Sequence, residues 1–311
     1  MEQITSLINI LASSDSRLFI TREQYMAELA VVIPFFLSKK EISGKTFREV
    51  ADDDFVNLNK KSECPITNDF VSDSIPEDSI AYHRVRGTIT AESCWRFSTK
   101  QLQADILQAE SNDKISAHFF HVTSGGGEAW YLDQLAKTMR EAVKPTFGFI
   151  EKVAGSAGYY IASQTGYVSA ATPYDLIGCI GTMVSFMDLQ PMLEKFGINF
   201  IEEYAKYSDL KNKKYNDLRT GKPDQFITEE LDPLRDRFVT DVKSMRPVIN
   251  ALPEDHPVLR GETFYAEKSI ENGLIDSIET IDIALRRAYD AGKTWSANQN
   301  KRRRAIQYLN P

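Results

Sequence analysis

The chain reads as an α/β protein built on a largely parallel sheet. Three observations predict this. Short apolar runs bounded by turn residues alternate with stretches of helical periodicity from Ile80 to Ala291. Two of those runs end in small-residue junctions, Ser124-Gly125-Gly126-Gly127 and Gly155-Ser156-Ala157-Gly158, about thirty residues apart. The 311 residues, 42% hydrophobic and 26% charged, suffice for one large domain with a real core and sizeable appendages.

Residues 1–78 predict a helical N-terminal extension and a linker. Ile4–Leu11 and Arg22–Leu37 have helical spacing, and Thr21-Arg22-Glu23-Gln24 is a capping box with Thr21 as N-cap and Gln24 at N3. Asp52–Asp54 and Pro65–Glu77 are polar and turn-rich, which predicts a linker ending near Ser79.

The main domain, 79–291, opens with a strand over Ile80–Arg86, closed by Gly87. Thr99 can cap a helix over Lys100–Ala109, with Leu102, Ile106 and Leu107 on one face. Ile115–Val122 is a nearly continuous apolar strand. The helix Glu128–Val143 follows, carrying Leu132, Leu135, Ala136, Met139 and Val143 at helical spacing until Pro145 stops it. Thr146–Ile150 is a buried strand, and the serine junction leads from it into a helix over Tyr159–Ala162. Tyr167–Ala171 reads as a strand, Ile177–Gly181 as a glycine-punctuated turn, and Thr182–Phe186 as another strand. Gln190–Phe196 is a short helix and Asn199–Tyr204 a strand. After Lys206–Lys214 a long helix spans Glu229–Ser244, with Thr228 as its cap. Gly261–Tyr265 is a strand or turn, Ala266–Gly273 a helix, and Leu274-Ile275-Asp276 closes that unit. The helix Ile281–Ala291 precedes a basic, polar tail, 292–311.

Composition excludes several function classes. The net charge of −7 gives no global reason to bind nucleic acid, although Lys211–Lys214 and Lys301–Arg304 are locally basic. Cys64, Cys94 and Cys179 are odd in number and widely spaced, with no metal or disulfide pattern, so a reducing, cytoplasmic compartment is expected. The start MEQITSLINI has no basic n-region of a signal peptide. The longest apolar run, Ala27–Leu37, contains Glu28 and Pro34 and is shorter than the roughly 20 residues that span a membrane, so no span is expected.

The chemistry centres on Ser156. A strand, small residues around one serine and then a helix is a way to present a nucleophile. Small neighbours admit a substrate carbonyl, and the helix N-terminus places N–H groups near a developing oxyanion. Tight helix–strand packing is the plainer reading of the same glycines. A serine nucleophile needs a base. Among His83, His118, His121 and His256, none stands in a triad context. His118 and His121 lie in a core strand, His121 is the better candidate because it stands near Gly125–Gly127, and His256 reads as an exposed loop residue. The alternative base is a lysine kept neutral by desolvation, for which Lys206, Lys211, Lys213 and Lys214 compete; a solvated face is the plainer reading of that cluster.

These motifs, in this order, resemble the signal peptide peptidase A family of Ser/Lys peptidases over roughly residues 80–285. Ser124–Gly127 stands where the family has S-P-G-G. Ala154–Ser163 (AGSAGYYIAS) is similar to its nucleophile motif, and Ile177–Thr182 (IGCIGT) to its I-G-S-I-G. Phe264-Tyr265-Ala266 through Gly273-Leu274-Ile275-Asp276 is similar to its closing element. Phe19–Glu23 before an apolar helix resembles the phage and prophage branch, related to capsid-assembly proteases. The resemblance implies a ClpP/crotonase-type fold, Ser156 as nucleophile, and an oxyanion hole from the N–H groups of Gly127 and Ala157. It also implies a lysine base, for which Lys211 aligns best and Lys206 is the runner-up. Gly125 replaces the family's proline, and Tyr204–Tyr215 departs from its G-x-x-K-D form. No cofactor or metal is implied. The implied partners are a protein or peptide substrate, scaffold or capsid-like, and further copies of the chain. Three classes stay open at this point: a Ser/Lys endopeptidase, a non-catalytic assembly factor of the same fold, and a crotonase-like acyl-CoA enzyme, against which the serine of AGSAGYY argues.

Overall fold

The longest apolar runs become the central strands of one sheet. The computed structural model describes residues 18–20, 47–93, 96–186, 188 and 190–309. The expected helices Ile4–Leu11 and Arg22–Leu37 and the capping box at Thr21 lie outside the described residues, as does Cys94.

Strand β1 is Leu18–Ile20, followed by helix α1 (Phe47–Asn59), β2 (Ile66–Thr67), β3 (Ser79–Thr90) and β4 (Phe97–Ser98). Helix α2 (Thr99–Ser111), β5 (Ile115–Glu128), α3 (Leu132–Glu141), β6 (Thr146–Gly155), α4 (Ala157–Ser163), β7 (Tyr167–Ala170) and β8 (Leu176–Gly178) come next. Then follow α5 (Gln190–Lys195), α6 (Lys213–Arg219), α7 (Asp224–Phe226), a π-turn (Ile227–Leu231), α8 (Asp232–Met245), α9 (Pro247–Asn250) and a 3₁₀ turn (Pro257–Arg260). The last elements are β9 (Thr263–Tyr265), α10 (Ala266–Glu271), β10 (Ser277–Ile278) and α11 (Ile281–Leu309).

The main order is β10-β7-β6-β5-β3-β2, and every pair along it is parallel. A parallel sheet has to be covered on both faces, and so its strands are apolar on both. One face carries Val85, Phe120, Val122 and Ile150 against Leu102 and Ile106 of α2, Leu135 and Met139 of α3, α4, and Phe238 and Val242 of α8. The other face carries Tyr82, Phe119 and Phe149 against Ala284, Leu285 and Ala288 of α11, with Phe55 and Leu58 of α1 alongside. This is the mixed α/β fold with a parallel sheet that the alternation of elements predicts.

Several local expectations are corrected. Ser124–Gly127 is not a turn into a helix. It is the end of β5, and α3 begins only at Leu132. Gly126 and Gly127 keep pairing with Thr88 and Ile89 of β3, so the ladder outlasts the apolar run. Asp52–Asp54 is not linker but part of α1, fastened by Asp54 to Arg84 at 2.7 Å and Arg86 at 2.8 Å. Thr182–Phe186 and Asn199–Tyr204 form no strand: Met183 makes a single bridge, and among the described residues no ladder forms along either segment. The N-cap of α2 is Ser98, whose hydroxyl accepts from the Gln101 N–H, one residue before the expected Thr99. Thr228 is no cap either. It lies inside a helical run that begins at Asp224, and its hydroxyl donates back to the Asp224 carbonyl at 2.7 Å. The basic tail continues α11 as far as Leu309.

The close approach of β3 to β5 makes Gly127 a packing residue. It has ordinary backbone geometry, whereas Gly126 takes φ 113°. A Cβ on Gly127 would overlap the Ile89 backbone. Gly127→Ala is therefore expected to destabilise the fold by roughly 3 kcal/mol, the upper part of the overpacking range, measured by urea unfolding. The expectation fails if the midpoint is unchanged.

Candidate active site

Strand β6 positions Ser156 by changing partners. It pairs with β5 up to Ala154 opposite Ser124, while Val153–Gly155 also pairs with β8, ending at Gly155 opposite Gly178. Ser156 then stands at φ 53°, ψ −121°. A side chain in that region costs about 1–3 kcal/mol and persists only where the surroundings over-determine it. Here the Ser156 N–H donates to the Gly178 carbonyl at 2.9 Å, and the Ser156 carbonyl accepts from the Tyr160 N–H at 2.8 Å. Gly158 has no room for a side chain, since a Cβ would lie 2.6 Å from the Ser124 carbonyl oxygen. Tight packing and presentation of the serine are thus properties of the same turn. Ser156 is buried, and among the described residues none hydrogen-bonds its hydroxyl.

All seven residues of α4 are buried, and two consecutive tyrosines anchor it in different directions. The Tyr159 hydroxyl donates to the Leu274 carbonyl at 2.9 Å. The Tyr160 hydroxyl donates to the Asp241 carboxylate of α8. Asp241 is itself buried and is balanced by Arg140 at 3.2 Å and Arg237 at 2.9 Å. Burial pushes both phenols up, so each stays a donor. Sequence reasoning did not single out Asp241. Its signal was present: it lies on α8 between Phe238 and Val242, on the buried face, where a lone carboxylate needs partners.

The other expected site residues are placed as follows. Ala157 is the buried first residue of α4, directly after Ser156. Gly127 stands in register with Ile89 of β3 on one edge and Phe19 of β1 on the other. Lys211 is exposed, in the turn before α6, with no contact to Ser156 among the interactions of the described residues. Lys213 pairs with Asp217, and Lys214 with Glu229 and Glu230. The Lys206 ammonium lies 5.6 Å from the Tyr207 ring.

The sequence pattern that defines peptidase family S49 matches residues 138–294, just over half of the chain, and takes in Ser156 and the whole of α4. The chain belongs to peptidase family S49. Among S49 relatives, a protein assigned as protease SohB in Buchnera aphidicola subsp. Schlechtendalia chinensis is 28% identical, over 59% of this chain and 58% of its own length. A second, assigned as protease SohB in Buchnera aphidicola subsp. Baizongia pistaciae, is 29% identical over 59% of this chain and 51% of its own. One assigned as signal peptide peptidase SppA in Enterococcus faecium is 24% identical over 78% of this chain and 73% of its own. The chain therefore spans between half and three quarters of these relatives. Among solved structures, a membrane-bound stomatin-specific protease with a substrate peptide superposes with a TM-score of 0.41 at 14% identity, covering 68% of this chain and 80% of that one. An enoyl-CoA hydratase/isomerase family protein from Silicibacter pomeroyi gives 0.39 at 13% identity, covering 64% and 71%.

In this S49 chain the strand histidines belong to the sheet's interior. His121, the histidine nearest the glycine run in sequence, packs on Tyr82 and Phe149, on the α11 face. Ala157 and Tyr159 lie in the core of the opposite face. The His121 Nδ1 meets the Tyr82 hydroxyl at 2.8 Å, and its Nε2 lies 3.3 Å from Glu151. His118 Nε2 donates to Glu110 at 2.8 Å, leaving Nδ1 to accept from His83 Nε2 at 3.0 Å. Burial holds all three histidines below their ordinary range, as neutral rings.

Two outcomes follow from this arrangement. Because the folded histidines resist protonation, the unfolded chain binds more protons below about pH 6.5. Their stabilisation is complete above that pH and is lost as pH falls towards the folded values. The slope is at most roughly 4 kcal/mol per pH unit for three groups, and urea midpoints at about pH 7 and about pH 5 should differ in that sense. Equal midpoints would refute it. Tyr160→Phe removes a hydrogen bond to a buried carboxylate while keeping the ring against Phe238, and is expected to cost about 2 kcal/mol in the same measurement. A loss below a few tenths would show that the Asp241 contact does not hold α4.

Proposed function

We propose that the protein is a serine endopeptidase in which Ser156 is the nucleophile. The observation that carries this reading is the Ser156 turn, a non-glycine residue at positive φ between a buried strand and a buried helix, with its hydroxyl uncommitted among the described residues. A serine held this way is oriented before substrate arrives, so little of its reaction barrier goes to ordering it. The Ser156 Oγ attacks a peptide carbonyl and its proton passes to a lysine amine. The carbonyl oxygen takes the charge and is met by the N–H groups of Gly127 and Ala157. The lysine then protonates the leaving amine, and water releases the acyl group from Ser156.

Lys211 is the base in this proposal, with Lys206 as its competitor. Lys213 and Lys214 are held in ion pairs, whereas Lys211 has no ion-pair partner among the described residues. An exposed ammonium has to be desolvated before it can accept a proton. Association of copies would supply that. The stretch leading to Lys211 exposes Phe196, Ile201, Tyr207 and Leu210, a run of large apolar side chains unusual for a monomer's surface. The substrates we assign are scaffold or capsid-like proteins of a phage or prophage, which the motif resemblance supports. No helix among the described residues is long and apolar enough to cross a membrane. The exposed position of Lys211 in the single chain favours a second reading, an inactive assembly protein of the same fold.

Labelling with a fluorophosphonate, mapped by mass, separates the two. Labelling at Ser156 is expected, with loss of peptidase activity on the order of 10⁶ in Ser156→Ala, the scale seen when a serine nucleophile is removed. Lys211→Met should abolish turnover and Lys206→Met should be mild, and activity should rise with pH as the base loses its proton. Unaltered turnover in Ser156→Ala would refute the enzyme, and the reverse ranking of the lysines would move the base to Lys206.

A further inference from the structure

The edge of β5 next to Ser156 is occupied. Beyond Ala154, β6 leaves β5 and turns through Ser156 into α4. β5 itself runs on to Glu128, and its Gly126 and Gly127 stay paired with Thr88 and Ile89 of β3. A strand has only two hydrogen-bonding edges. The second edge of Gly126–Glu128 is therefore the one β6 has vacated, on the Ser156 side. β1 fills it, antiparallel, with Leu18 opposite Glu128, Phe19 opposite Gly127 and Ile20 opposite Gly126. Phe19 thus stands three residues, about 10 Å, further along β5 than the Ser124–Ala154 pair.

An extended polypeptide laid in this lane passes the Ser156 turn and is gripped through its backbone, as in strand addition to a sheet edge. The glycines of β5 suit that role, because they present backbone without side chains on a strand that another backbone must approach. We propose that Leu18–Ile20 is a built-in occupant of the substrate lane, a segment of this chain that competes with extended, apolar substrate strands for the β5 edge. This rests on the reading of Ser156 as a peptidase nucleophile for its consequence, though not for the pairing. Release of β1 opens the lane. The occupant is in the same molecule, so its rebinding is intramolecular and does not depend on protein concentration. A free peptide must outcompete it.

The test uses the full chain, a fluorescent peptide of residues 16–22, and the variants Phe19→Pro and Ile20→Pro. Proline removes an N–H and breaks ladder pairing, and β1 is a three-residue edge strand, so the sheet should survive, as the thermal midpoint will report. In an antiparallel pair only one of two adjacent residues turns its N–H to the ladder, so the peptide is expected to bind at least one variant at least about tenfold tighter than wild type, and a fluorophosphonate should label Ser156 about tenfold faster in that variant. Equal peptide affinity for wild type and both variants, or binding to none, overturns the inference. Tighter peptide binding with no labelling of Ser156 in any protein upholds the occupied lane and overturns the peptidase reading instead.

Discussion

The hydrogen bond from the Ser156 N–H to the Gly178 carbonyl is the constraint on which the site depends. It exists because β8 follows β7 along the edge of β6 opposite β5, reaching Gly155 at the strand's last residue, and it holds a serine in backbone space that non-glycine residues avoid. Around it the chain is over-determined. Gly155 pairs with Gly178, Gly158 lies against Ser124, and Cys179, itself at φ 57°, donates its N–H to the Glu262 carbonyl at 2.8 Å. Four separate segments thus converge on one turn. Strain at Ser156 is offset by contacts that no single segment could make.

The helix after the serine is fixed with the same economy of parts. Tyr159 reaches the closing segment at Leu274, and Tyr160 reaches α8 at Asp241. Asp276, in that closing segment, takes both guanidinium nitrogens of Arg246 at 2.9 Å and accepts the Val168 N–H of β7. A paired carboxylate with this many donors fixes geometry more than it adds net stability, since the charges had to be desolvated first. The opposite face has its own polar cluster. Arg84 there joins Asp54 of α1 to the His121 carbonyl and the Thr123 hydroxyl. Of the strand histidines, His121 lies on this second face against Tyr82 and Phe149, whereas His83 and His118 stack on Phe120 on the α2 face, where they bond each other and Glu110.

Two surfaces of the chain have different characters. The β5 edge that β1 fills is made of backbone pairing, and the exposed apolar residues between Phe196 and Leu210 present side-chain area. Strand addition selects by shape and polarity of backbone, while apolar area selects by complementarity.

What the sequence by itself determined was whatever depends on local pattern. Continuous apolar runs such as Ile115–Val122 and Thr146–Ile150 are strands because both faces are covered, and the Gly-Ser-Ala-Gly junction is a strand-to-helix turn because only small residues fit it. Family membership was legible for the same reason, since its motifs are short and contiguous. The tertiary structure decided whatever depends on a partner distant in sequence. Glycines have low strand propensity, so Ser124–Gly127 read as a turn, yet Ile89 and Phe19 on either side hold Gly127 in a ladder. Asn199–Tyr204 has the composition of a strand, yet it pairs with no strand among the described residues. Asp241 became an anchor of α4 only when α8 packed on it, because a carboxylate's role is set by which donors surround it, and those come from elements far apart in the chain.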